Sequence, residues 1–167
     1  MMKKRVIGSV LAVAVMLAII PSQISYTSNG DTYISEEIQE ACEEIGEEWD
    51  ICPELLEAII EAESSGRKYA QNGKCKGLMQ INTGNSDVME YMHKNGYTDI
   101  YDIETNITLG CWVLMQKIEI YGDDLYAVLM AYNGTSNITE RLESGNYTDY
   151  AVSVAERAAE LERIHGK

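Results

Sequence analysis

The sequence predicts an all-α fold, and three observations carry that expectation. Apolar residues recur at three- and four-residue intervals after about residue 31, the repeat of helices that each bury one stripe. The punctuation between the stripes is helical, with Ser, Thr or Pro before them and Gly after. No stretch alternates convincingly with period two, and no internal repeat or low-complexity linker appears. At 167 residues the chain has room for one domain, expected over residues 31–167.

Each helix has its own signals. Ser35 suits an N-cap for a helix whose stripe is Ile34, Ile38, Ala41, Cys42, Ile45 and Trp49. Pro53 suits the first position of the next helix, with Cys52 before it, running to about Ser65 and stopping at Gly66. A loop holding Gly77-Leu78-Met79-Gln80-Ile81 follows. Residues 86–95 read as a short helix ended by Gly96. Ile103, Ile107, Cys111, Leu114, Ile118 and Tyr121 mark a longer one closed by Gly122. Leu125, Val128, Leu129 and Tyr132 mark another that ends at Asn133-Gly134, and Thr148 caps a last one with Tyr150, Val154, Ala158 and Leu161.

The first residues read differently. Lys3, Lys4 and Arg5 precede an uncharged stretch from Val6 to Ile20, a basic segment followed by an apolar one. That stretch is shorter than the ~20 residues that cross a bilayer comfortably. Ser22-Gln23-Ile24-Ser25 offers small residues without a clean Ala-x-Ala site. The expectation for residues 1–26 is an export signal, either cleaved or retained as an N-terminal membrane anchor. The domain would then work outside the cytoplasm of a bacterium, secreted, wall-associated or tethered.

Charge narrows the partners. Without the three N-terminal cations, 10 basic residues face 27 acidic ones, a net charge of −17. Nucleic acid is therefore not an expected partner. The interval 31–63 holds 13 acidic residues and no Lys or Arg, whereas 64–86 holds Arg67, Lys68, Lys74 and Lys76 and no acid. The acidic run reads as a solvated helix pair.

Four cysteines, Cys42, Cys52, Cys75 and Cys111, would be exposed to an oxidising compartment. An even number there suggests disulfides, with Cys42–Cys52 and Cys75–Cys111 the favoured pairing; the alternative is four reduced thiols packed as small hydrophobes. Neither Cys-x-x-Cys nor His-x-x-x-His occurs, and His93 and His165 stand alone in sequence, so no metal or cofactor is expected.

One glutamate stands out. On a wheel of ~100° per residue, Leu55, Leu56, Ile59 and Ile60 define the apolar face of the Pro53 helix, and Glu54, Glu57 and Glu61 fall on the far side, near ~180° from its centre. They read as solvated carboxylates. Glu63 falls within about 10° of the centre of the apolar stripe. Desolvation there, and the negative end of the helix dipole, both favour its protonated form. A carboxyl group protonated near neutral pH is what a general acid acting on a glycosidic oxygen needs. No Asp or Glu lies between Glu63 and Asp87, so no local second carboxylate is evident, although Asp87, Asp99 or Asp102 could fold in. The plain alternative is a frayed helix end with the side chain in water.

Several short segments then line up. Glu63-Ser64, Gly77-Leu78-Met79-Gln80-Ile81, Asn106-Ile107-Thr108-Leu109-Gly110, Ala131-Tyr132-Asn133 and Tyr150-Ala151-Val152-Ser153-Val154 resemble, in order and spacing, the motifs of the soluble lytic transglycosylase family within the lysozyme-like superfamily. The resemblance covers about Cys52 to Arg157. It implies a compact lysozyme-like helical domain with an active-site cleft, and peptidoglycan glycan strands as the partner. Glu63 would match the single catalytic acid/base, which protonates the oxygen between N-acetylmuramic acid and N-acetylglucosamine. It would then deprotonate the muramyl C6 hydroxyl, closing a 1,6-anhydro ring. Met79 and Gln80 would line the cleft, Tyr132 and Asn133 would border the reacting ring, and Tyr150 would contact the catalytic carboxyl. Ser64 would hold the helix end or the substrate.

Each of these has a plainer reading. Leu78 and Met79 suit a core, Tyr132 continues the stripe of its helix, Asn133-Gly134 suits a helix stop, and Gly110 suits close packing. The basic loop either meets peptidoglycan carboxylates or is simply solvated. Two departures from the family pattern stand out. Gly134-Thr135 follows Asn133 where Ala-Gly is common, and Cys75-Lys76 precedes Gly77 where small residues are usual. A hydrolytic muramidase on the same fold fits the same motifs. A reading of another class is a noncatalytic wall-binding or secretion-accessory module.

Overall fold

The computed structural model describes residues 34–167. The signal or anchor expected over residues 1–26 lies outside the described residues. Within them no helix is long and apolar enough to cross a membrane.

The all-α expectation holds. Seven helices follow in order: α1 (Glu36–Trp49), α2 (Pro53–Ser64), α3 (Ser86–Lys94), α4 (Ile103–Tyr121), α5 (Leu125–Tyr132), α6 (Ile138–Ser144) and α7 (Asp149–Ile164). Four of them, α3, α4, α5 and α7, start at side chains that satisfy first-turn amides. Asp102 accepts from Thr105 N at 2.9 Å, Asp124 from Ala127 N at 3.0 Å, and Thr148 from Ala151 N at 3.3 Å. Helix α2 ends one residue earlier than the sequence suggests, with Ser65 itself in the left-handed region (φ 52°) ahead of Gly66.

Two elements escape the sequence pattern. Gln71–Asn72 (β1), Cys75–Lys76 (β2) and Ile81–Asn82 (β3) form a small antiparallel sheet in that order, with Asn72 opposite Cys75 and Lys76 opposite Ile81. Strands of two residues are too short to show alternation. Helix α6 has seven residues and one buried apolar side chain, Ile138, so it offers no stripe.

Helix α2 is the centre of the molecule, packed between α1 and α7, and α1, α5 and α4 complete the shell. Its apolar face is wholly buried, with Leu55, Leu56, Ile59 and Ile60 at 0% exposure. The opposite face is not solvated as the wheel suggests. Glu54 and Glu57 are each 1% exposed, and Glu61 is half-buried. The cause is α7, which covers the side that a one-helix wheel leaves to water. It supplies Arg157, whose Nε and Nη2 meet the Glu61 carboxylate at 2.7 and 3.1 Å, and leads into His165 and Lys167, at 3.0 and 2.8 Å from Glu54 Oε1. Hydrogen bonds from Lys167 and His165 outweigh its burial and bring Glu54 down to about 2. Glu57, held mainly by burial, is pushed up to about 7.

The expected disulfides are not formed. Cys42, Cys52, Cys75 and Cys111 are all free thiols. Nearness in sequence misleads here: Cys42 points from α1 into the core, close enough to Cys111 for that group to add to its upward shift. Cys52, at the start of α2, turns instead to Glu54 Oε2 (3.2 Å) and Glu162 Oε1 (3.6 Å). Burial pushes the Cys42, Cys52 and Cys111 thiols up, Cys52 to about 12, so they pack as neutral groups.

Candidate active site

Glu63 occupies the last turn of α2, half-buried against α7. Tyr150, in the first turn of α7, donates its hydroxyl proton to Glu63 Oε1 at 2.7 Å across 87 residues of sequence. Burial raises the Glu63 carboxyl above the usual range, and the Tyr150 hydrogen bond pulls part of the way back. Those two influences account for its shift, and no neighbouring carboxylate adds to it. The aspartates that might have joined it are exposed and engaged elsewhere. Asp87 meets Ser86 Oγ (3.2 Å), Asp99 accepts from Tyr101 N (2.9 Å), and Asp102 caps α4.

The loop across from Glu63 is locked from beneath. Asn106 on α4 is completely buried and uses its whole amide. Its Oδ1 accepts from Met79 N at 2.8 Å, and its Nδ2 donates to Ile100 O at 2.7 Å and Lys76 O at 3.1 Å. Gly77 (φ 78°) passes so close that a Cβ there would run into the Asn106 amide. A Cβ at Gly110 would likewise strike the Met79 sulfur. From the other side, Tyr132 donates its hydroxyl proton to Met79 O at 2.8 Å. Gln80 is thereby held in the left-handed region (φ 49°), with its Nε2 donating to Gly77 O at 2.9 Å. Strain of this kind persists where surroundings over-determine the backbone, and it clusters at working sites.

The singled-out residues thus divide. Glu63, Tyr150 and Tyr132 come together, and Gln80 joins Tyr132 at a groove that Glu63 itself does not line. Tyr132 is near enough to Glu63 that the carboxylate helps to push the phenol upward, after burial. That groove, of about 160 Å³, includes Asn82, Asn85 and Lys117. Met79 contributes its backbone, since its side chain is 0% exposed behind Gly110. Ser64 donates to Ile60 O at 3.1 Å and is buried, so it closes the helix end. Asn133 is exposed at the C-cap of α5. Of the basic loop, Arg67 donates from Nε to Ser64 O at 2.9 Å, tying it to the end of α2.

Sequence reasoning quoted Asn106 within a motif but gave it no role. A signal was available: an amide placed directly before Ile107 and four residues before Gly110 sits on a helix face that is otherwise apolar. A buried amide must find partners.

The transglycosylase SLT domain profile matches residues 40–151, about two thirds of the chain. This chain belongs to the transglycosylase SLT domain family. The matched interval contains Glu63, the Met79–Gln80 loop, Tyr132 and Tyr150. A protein named "Transglycosylase" from Enterobacteria phage PRD1 is 30% identical over 91 residues, 54% of this chain and 32% of that protein. The chain thus matches about a third of the length of this relative.

Proposed function

We propose that this protein is a peptidoglycan lytic transglycosylase in which Glu63 is the single acid/base. The observation that carries the reading is the environment of that carboxyl: half-buried, raised in its titration, bonded to a phenol and, among the described residues, with no second carboxylate acting on it. In its protonated form Glu63 gives its proton to the oxygen between N-acetylmuramic acid and N-acetylglucosamine, and the glucosamine side departs as an alcohol. The resulting carboxylate then takes the proton of the muramyl C6 hydroxyl while O6 bonds to C1. The 1,6-anhydro ring closes and Glu63 is protonated again. The substrate supplies its own nucleophile, which suits a site with one carboxylate, whereas a conventional glycosidase places two across the bond. Tyr150 orients Glu63, and the groove beside Gln80, Asn82 and Tyr132 supplies hydroxyl-matching polar groups for the sugars.

We propose further that the domain acts outside the cytoplasm, on the strength of Lys3-Lys4-Arg5 followed by the uncharged run to Ile20. The deciding experiment is mass spectrometry of sacculi digested with the wild-type chain and with Glu63→Gln. Anhydro-muramyl ends from the wild type and none from the variant are expected. Reducing muramyl ends alone would assign hydrolysis, and equal digestion by both proteins would remove Glu63 from the chemistry.

A further inference from the structure

We propose that Cys52, Glu54 and Glu162 form a binding site for one divalent transition-metal ion of the zinc class. The three side chains come from the start of α2 and the end of α7, and they are 5%, 1% and 4% exposed. One ligand atom of each lies within 4.8 Å of the others. The Cys52 sulfur is 3.2 Å from Glu54 Oε2 and 3.6 Å from Glu162 Oε1. Tetrahedral zinc, with bonds of about 2.3 Å to sulfur and about 2.0 Å to oxygen, needs a sulfur–oxygen edge of about 3.5 Å. The donor atoms therefore stand close to the spacing that the ion requires. A thiolate with two carboxylates is a mixed soft and hard set, which suits zinc or cobalt better than magnesium or calcium.

A second observation is an unsatisfied buried oxygen beside these side chains. Glu57, one turn along α2 and 1% exposed, has its Oε2 buried with no hydrogen-bond partner. Its side chain is held by Gln39, and its Oε1 lies 3.9 Å from the same His165 Nδ1 that approaches Glu54 Oε1 at 3.0 Å, so the side chain that carries the unpaired oxygen borders this cluster. Leaving a carboxylate oxygen buried and unpaired is costly, and a divalent ion beside it relieves that cost. His165, half-buried at the rim, approaches Glu54 Oε1 through Nδ1 at 3.0 Å and so steadies that ligand from outside. Lys167 Nζ, 2.8 Å from Glu54 Oε1 on an otherwise exposed side chain, occupies the place of a cation and would swing out when an ion binds. On binding, the Cys52 thiol loses its proton to solvent as the sulfur–metal bond forms, one proton per ion.

Glu54 lies about 180° round α2 from Glu63, so metal binding and glycan cleavage are read separately. The test is titration of the reduced, chelator-treated full chain with cobalt(II). A near-ultraviolet sulfur-to-cobalt band saturating at one ion per chain is expected, with one proton released. Cys52→Ser should abolish that band, Glu162→Gln should weaken binding at least tenfold, and Cys75→Ser should change neither. Lys167→Met should tighten binding several-fold by removing the competing ammonium. Unchanged circular dichroism and melting of each metal-free variant show that it has folded. No saturable band in the wild type, or a band that survives Cys52→Ser in full, would overturn the assignment.

Discussion

Ionising Glu63 places charge on a half-buried oxygen at the negative end of α2, with one phenol to compensate it. Its protonated form is therefore the working acid over a wider pH range than an ordinary glutamate, whose pKa is about 4.3. Initial rates of sacculus digestion should fall on the alkaline side with an apparent pKa above that value. Tyr150→Phe removes the hydrogen bond that favours the carboxylate, so the alkaline limb should move to higher pH while the maximal rate falls. A limb moved to lower pH would contradict this account. Glu63→Gln should cost about 10²–10⁴-fold in rate, the usual worth of a positioned acid/base. The same variant has a stability signature. The native state prefers the protonated carboxyl, so its favourable contribution is complete below the unfolded pKa and is lost as pH rises through the raised native one. Thermal melts should show Glu63→Gln equal to the wild type at acid pH and more stable above neutrality. Glu63 was legible from sequence because one helix wheel puts it inward. Glu54 and Glu57 were misread by the same wheel, because burial by α7 is a fact about a neighbour that no single-helix pattern contains.

The loop between α2 and α3 is legible as a motif and not as a structure. Its strands are two residues long, and its shape is set from α4 through Asn106 and Gly110. Asn106→Ala strips partners from Met79 N, Ile100 O and Lys76 O at once. Each buried group so abandoned costs about 1–3 kcal/mol, so urea denaturation should show a loss of at least that size. Gln80 should also lose its fixed place, and activity should fall more than stability explains. Gly110→Ala forces Met79 aside and should destabilise by about 1–3 kcal/mol, the usual range for overpacking. Helices α4, α5 and α7 are readable because they are striped and capped by Asp102, Asp124 and Thr148. Helix α6 is not, because it begins at Asn137 in the left-handed region and buries one apolar side chain.

Across the whole molecule, the decisive packing is between α2 and α7. It places Tyr150 on Glu63 at one end and His165 and Lys167 on Glu54 at the other, with the Arg157–Glu61 fork between them. Arg157→Ala leaves Glu61, whose side chain is 9% exposed, without its bidentate partner. A charged hydrogen bond of this kind is worth about 1.5–3 kcal/mol, so the melting temperature should drop measurably while product type stays the same. None of these pairings can be read from local sequence, since each joins residues about a hundred positions apart.

That separation has a consequence in time. Glu63 and Tyr150 meet only when α7 has folded back onto α2. Long-range closures of this sort come late, after local helices have formed. A chain still emerging from the ribosome therefore carries Glu63 on a helix with an open side, wet and ordinary in its titration. On the proposed reading, Glu63 becomes a working acid only after α7 has packed against α2, so the order of folding sets when cleavage can begin.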